Sequence, residues 1–279
     1  MLVNSKELFR VSQERKFAIP ATNFIDLDSA RSYVETAEKL KKPLILAFAE
    51  SHMEMMSLDE AALIGKYLAK KSTMPVVLHL DHGETFSVIE KAIDLGFSSV
   101  MIDASKDSLS ENIKKTKKVV EIARPKGISV EAEIGHVGSG VNYETSEKTD
   151  SIYTELSDAK QFVIETQVDS LAISIGTAHG FYNGEPKINF GRLNEIRENI
   201  STPLVLHGGS SSGDYNLERC ATGGMSKINI FTDFLTSAMN EIEKCQPTDY
   251  IQLKKEANHA MSQTLEHYFD VFHTMEVSI

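Results

Sequence analysis

Cysteine is scarce in this 279-residue chain. Cys220 and Cys245 are the only two and lack metal-ligand spacing, which excludes a disulfide framework and a cysteine-ligated zinc. No apolar run approaches the ~20 residues that a membrane-spanning helix needs. The first residues, MLVNSKELFR, lack the apolar stretch of a signal peptide, so the expected location is the cytoplasm. Positive charge is also in short supply. Forty acidic residues face 29 basic ones, a formal net charge of −11 that argues against partners such as nucleic acid or a membrane surface. What is present, 41% apolar and 25% charged residues, suits a globular protein. An enzyme acting on a small molecule is the default expectation.

Short apolar runs rich in β-branched residues recur along the chain. FAIPATNF (17–24), PLILAF (43–48), VVLHL (76–80), SSVMI (98–102), ISVEAEI (128–134), SLAISI (170–175), PLVLH (203–207) and KINIF (227–231) make eight candidate strands. Amphipathic helical segments lie between them at 28–41, 57–71, 84–95, 107–123, 157–167 and 190–199. In 107–123 the apolar face is Leu109, Ile113, Thr116, Val120 and Ala123, with Ser108 and Glu111 spaced as a capping box. Gly96 stands where a C-terminal cap belongs after 84–95. This alternation predicts one closed parallel (β/α)8 barrel, a fold of about 250 residues, in a single domain over 1–279. An open doubly wound sheet is the alternative, but no G-x-G-x-x-G follows the first strand. Residues 136–156 form a long polar stretch that reads as a lid or binding loop, and about 233–275 reads as extra C-terminal helices.

In such a barrel the chemistry sits at the C-terminal ends of the strands. His82, His179 and His207 stand at the ends of strands three, six and seven, and three neutral imidazoles with an open position make a catalytic zinc site. A single histidine is usually just a hydrogen-bonded core or surface residue. Three of nine at matching strand ends are a different matter. His52, His136, His259, His267 and His273 lack that placement and are read as ordinary. Asp81 and His82 are adjacent, so both face the site only if the strand ends there and Gly83 begins the turn; His79 shares parity with Asp81 and belongs to the barrel interior. Asp103 and Glu133 are candidates for a second cation or for hydrogen bonds to the ligand histidines, with helix-cap or salt-bridge duty as the plain alternative. The stretch from Gly208 to Gly213 offers backbone N–H groups as an anion nest after strand seven. No lysine stands at the end of a placed strand, Lys227 being at the wrong end of strand eight, so metal chemistry is favoured over a Schiff base.

These residues resemble the class II, metal-dependent fructose- and tagatose-bisphosphate aldolases, which are TIM barrels. The resemblance covers about residues 5–245 and is carried by VVLHLDHG (76–83), SVMIDAS (99–105), VEAEIG (130–135), AISIGTAHG (172–180), PLVLHGGS (203–210) and KINIFTD (227–233). It implies Zn²⁺ on His82, His179 and His207, with Asp103 and Glu133 at a second divalent position. It implies Asp81 as the acid/base at the C4 hydroxyl. Gly180, Gly208, Gly209, Ser210, Asn229, Ile230, Phe231 and Thr232, with Asn23 nearby, would bind the dihydroxyacetone phosphate half of a phosphorylated sugar. A homodimer or homotetramer is also implied.

The chain departs from the family pattern on one side. Val141 stands where the loop glutamate belongs, leaving Glu144 as the candidate acid. Ala49 and Thr248 replace a serine and an arginine associated with the distal phosphate, and a threonine cannot reproduce a bidentate arginine contact. The expected reaction is reversible cleavage of a fructose- or tagatose-type 1,6-bisphosphate to dihydroxyacetone phosphate and glyceraldehyde 3-phosphate or an altered aldehyde. The alternatives are another phosphorylated sugar derivative, from inositol or sulfosugar catabolism, and a non-catalytic structural subunit.

Overall fold

The computed structural model describes residues 1–137, 153–180 and 186–278. Eight strands pair in parallel in chain order and the eighth closes on the first, giving a (β/α)8 barrel. They are β1 (Ile19–Asn23), β2 (Leu44–Ala49), β3 (Val76–Gly83), β4 (Ser99–Ile102), β5 (Ser129–Ile134), β6 (Ser170–Ile173), β7 (Leu204–Leu206) and β8 (Met225–Ile230). Every residue of β1, β2, β5 and β8 is buried, because one face fills the barrel and the other packs under the helices.

The helices around them are α1 (Ser5–Arg15), α2 (Leu27–Leu40), α3 (Leu58–Lys71), α4 (Phe86–Leu95), α5 (Leu109–Ala123), α6 (Leu156–Thr166), α7 (Phe190–Asn199), α8 (Asp214–Gly223), α9 (Thr232–Cys245) and α10 (Tyr250–Val271). Local chemistry sets their ends. Gly96 caps α4 at φ 88°, as its position predicts. Reciprocal capping boxes fall at Asp26 and Ser29 of α2 and at Ser57 and Glu60 of α3. At α5 Ser108 accepts from the Glu111 amide, but the Glu111 carboxylate pairs with Lys114. Two helices are absent from the sequence reading. α1 presents Ser5, Leu8, Phe9 and Ser12, a helical face whose serines mask its period. Its Leu8 and Phe9 pack with Phe17, Ile19, Ile45 and Val77 to plug the N-terminal end of the barrel. α8 is short, with only Leu217, Cys220 and Ala221 buried.

One irregularity matters for the site. β3 does not end at His82. Between Leu80 and Gly83 its register shifts against β4, so three steps on β3 face two on β4, from Val100 to Ile102. His82 occupies this bulge at φ 44°.

Candidate active site

The C-terminal mouth of the barrel holds a cavity of about 740 Å³. Side chains from β3, the loop after β6 and the end of β7 meet on its floor. The bulge turns His82 to the same side as Asp81, which strict alternation would forbid. The ring of His82 lies 4.9 Å from that of His179 and 4.5 Å from that of His207, with 6.0 Å between the last two. One nitrogen from each falls within 4.8 Å of the others.

Carboxylates fix two of the rings from behind. Asp103 Oδ2 is 2.9 Å from His82 Nδ1, and Glu131 Oε1 is 3.0 Å from His207 Nε2. Among the described residues, His179 Nε2 and His207 Nδ1 are buried with no hydrogen-bond partner. Such atoms are costly to bury, and here they converge. Three nitrogen donors, two unpartnered and two rings braced by a carboxylate, suit a divalent cation such as zinc. His82, Asp103 and Glu133 form a second group of compatible spacing. Glu133 Oε1 accepts from the Val137 amide at 3.1 Å, while its Oε2 has no hydrogen-bond partner among the described residues.

The electrostatics follow from this crowding. Burial opposes charge on His82, but Asp81, Asp103 and Glu133 outweigh it and raise its pKa to about 9. Burial, reinforced by His82 and His207, holds His179 down to about 3, and burial also lowers His207. Burial and the neighbouring Asp103 push Glu133 up to about 8. Burial opposes charge on Asp81 too, yet His82 and Lys227 keep its carboxyl well below the usual range. Its two oxygens are held apart, Oδ2 accepting from Asn23 Nδ2 and Oδ1 from Asn229 Nδ2, each at 2.9 Å.

The loops bring some of the anticipated anion-binding residues to the cavity and leave others out. Gly180, Gly208, Ser210, Asn229, Phe231 and Thr232 border it with Asn23. Gly208, at φ 67°, has no room for a side chain: a Cβ there would stand 2.3 Å from the Ala178 carbonyl oxygen. Gly209 and Ile230 do not border the cavity. The Gly209 N–H donates to the Asn229 carbonyl, Ser211 N–H to Asp233 and Ser212 N–H to the Gly209 carbonyl. The stretch is thus less open a nest than its composition suggests. Ala49 borders the cavity, whereas Thr248 is exposed between α9 and α10, its amide bonded to the Gln252 side chain. Glu144 and Val141 lie outside the described residues.

Several participants escape a reading by strand ends. His52 and His136 border the cavity; His52 stacks 4.7 Å from Phe231, and His136 Nδ1 is 3.1 Å from Ser105 Oγ. Lys227 is not at a remote strand end but inside the barrel, 2.9 Å from both Glu131 oxygens and 3.9 Å from Asp81. The period of two on β5 and β8 could have found this pair, since Glu131 shares a face with Glu133, and Lys227 with Asn229.

Comparison with known proteins gives a consistent answer. A family model described as fructose-bisphosphate aldolase class-II matches residues 3–276. The D-tagatose-1,6-bisphosphate aldolase subunit GatY of Klebsiella oxytoca is 37% identical over 232 residues, 83% of this chain and 82% of its own. YdjI of Escherichia coli K12 is 35% identical over 249 residues, 89% of each chain. The crystal structure of the YdjI aldolase matches at a TM-score of 0.89 and 31% identity, over 98% of both chains.

Proposed function

The chain belongs to the class-II fructose-bisphosphate aldolase family, which makes it a lyase acting on phosphorylated sugars, and we propose that it cleaves a ketose 1-phosphate or 1,6-bisphosphate of the fructose or tagatose type to dihydroxyacetone phosphate and an aldehyde. The observation that carries this is the convergence of unpartnered nitrogens of His179 and His207 on His82, beside a charged and doubly held Asp81. The family is generally zinc-dependent, and His82, His179 and His207 would hold that ion, His82 through the nitrogen that Asp103 leaves open. When bound, the cation supplies Lewis-acid stabilisation of negative charge developing on substrate oxygens.

Asp81 takes the proton of the C4 hydroxyl, helped by the two asparagine amides that orient its carboxylate. The C3–C4 bond then breaks, the C4 oxygen becomes the aldehyde carbonyl, and the bonding pair stays on C3 in conjugation with the C2 carbonyl. An acid returns a proton to C3; Glu144 is the candidate from the loop. Gly180, Gly208, Ser210, Asn229 and Thr232 take the 1-phosphate half. Asp103 and Glu133 supply a second divalent position, and the reading extends to a homodimer or homotetramer with α9 and α10 in contact. Among the described residues no helix is long and apolar enough to cross a membrane.

With Ala49 and Thr248 in place of the serine and arginine, no bidentate grip on a distal phosphate is expected from those two positions. The test is release of dihydroxyacetone phosphate from fructose and tagatose bisphosphates, their 1-phosphates, and analogues with carboxylate or sulfonate tails, with zinc and with a chelator. Chelator-sensitive release is expected, with comparable kcat/KM for a 6-phosphorylated ketose and its unphosphorylated analogue. A strong preference for the bisphosphate would overturn the account of the distal half. No release from any substrate with zinc bound would replace the enzyme by a non-catalytic subunit.

A further inference from the structure

The loop after β7 enters the left-handed backbone region three times, at Gly208 (φ 67°), Ser211 (φ 59°) and Gly213 (φ 80°). Two of these are glycines and carry no penalty. Ser211 has a side chain, so its conformation persists only where surrounding contacts impose it. Asp233, in the first turn of α9, imposes it with both carboxylate oxygens. Its Oδ2 accepts from the Ser211 amide at 2.9 Å and its Oδ1 from the Ser211 hydroxyl at 3.1 Å.

Asp233 is held in turn from outside the barrel. The hydroxyl of Tyr268, on α10, donates to the same Oδ2. That hydroxyl has a fixed origin, because the buried Tyr268 ring packs against Phe272 and Phe234 at 5.4 and 6.3 Å between centroids. The neighbouring His267 reaches Asp214, the first residue of α8, at 2.9 Å. The C-terminal helix therefore meets both flanks of the loop. Ser210, one residue before Ser211, borders the cavity, and its Oγ accepts from the Phe231 amide at 3.0 Å.

We propose that Tyr268 and Asp233 are positioning residues for the phosphate end of the substrate, so that α10 sets the shape of the Ser210 loop without touching the ligand. This rests on the assignment of that loop to the 1-phosphate half. The proposal explains why a helix outside the barrel repeat carries a buried tyrosine whose hydroxyl ends on the carboxylate bonded to this loop.

Two variants test it, each assayed for KM and kcat with a ketose 1-phosphate, for inhibition by inorganic phosphate, and for bound zinc and Tm. Tyr268→Phe deletes the hydroxyl and keeps the ring, so the packing on Phe234 and Phe272 survives. It should raise KM and the phosphate inhibition constant together, by about three- to tenfold, as loss of one hydrogen bond to a charged group allows. Zinc content should stay the same and kcat should change less than KM. Asp233→Asn should move both constants further in the same direction. If phosphate inhibits the parent enzyme and both variants bind it equally well, with only Tm lowered, α10 is structural and the proposal fails alone. If phosphate does not inhibit the parent enzyme, the assignment of the loop fails and takes the proposal with it.

Discussion

Two polar layers cross the barrel interior, and they are built on opposite rules. The lower one is complete. Lys227 lies 3.0 Å from His79 Nε2 and donates to both oxygens of Glu131, and His79 Nδ1 is 2.9 Å from Ser99 Oγ. The upper one, a few residues further along the strands, is incomplete. His179 Nε2, His207 Nδ1 and Glu133 Oε2 are buried without hydrogen-bond partners among the described residues. Glu131 belongs to both, accepting from Lys227 below and pairing with His207 above. Buried polar groups cost stability unless satisfied, so a satisfied layer serves the fold and an unsatisfied one marks where a ligand completes it. Lesions in the two layers should therefore separate activity from stability.

The largest effect is expected above. His179→Ala removes an imidazole whose buried Nε2 has no hydrogen-bond partner to lose among the described residues. Aldolase activity with zinc should fall by more than about 100-fold, the upper range for loss of an outer-shell partner. The metal-free Tm should move by no more than about 2–4 °C, the shift that 1 kcal/mol gives in a chain of this size. A large drop in the metal-free Tm would show that the upper layer also carries the fold.

The lower layer predicts the reverse. Lys227→Met strands the Glu131 carboxylate in the interior and should cost about 3–5 kcal/mol, measured by denaturant unfolding of the metal-free protein. Adding Glu131→Gln removes the stranded charge and should recover most of that loss. If the single variant unfolds at the parental denaturant concentration, the ion pair contributes nothing and the division between layers fails.

The same contrast explains what could be read from the chain beforehand. The eight strands were legible because parallel strands buried on both faces are nearly continuous β-branched runs. The three histidines were legible because strand ends are positions along the chain. The period of two on β5 and β8 places Lys227 and Glu131 in the interior, but their pairing with each other, which spans 96 residues across a closed barrel, was not legible. The bulge at His82 was not legible either: only the register against β4 reveals that Asp81 and His82 share a side. α1 was lost because two of its four buried residues are serines. What a residue is shows in sequence; what it faces across the barrel does not.

The smallest of these effects, in pH, distinguishes the layers most finely. Burial and Lys227 hold His79 down to about 3, so the lower layer has no imidazole that changes charge between pH 5 and 9. In the upper layer the carboxylates around His82 raise it to about 9 from an ordinary 6.5. A folded-state pKa above the unfolded one stabilises the metal-free fold fully below about pH 6.5, and this stability is lost as pH rises through about 9. An imidazole binds a metal only when neutral, so zinc held as proposed by His82 would have to displace this proton. Apparent affinity should rise about tenfold per pH unit from 7 to 9 and flatten above. Calorimetry in buffers of different ionisation enthalpy should find about one proton released per zinc at pH 7 and none near pH 10. Glu133, pushed up to about 8, should add a second proton only when a second equivalent of metal binds. Release of both protons with the first equivalent would mean that Glu133 belongs to the histidine site, and that the upper layer holds one centre rather than two.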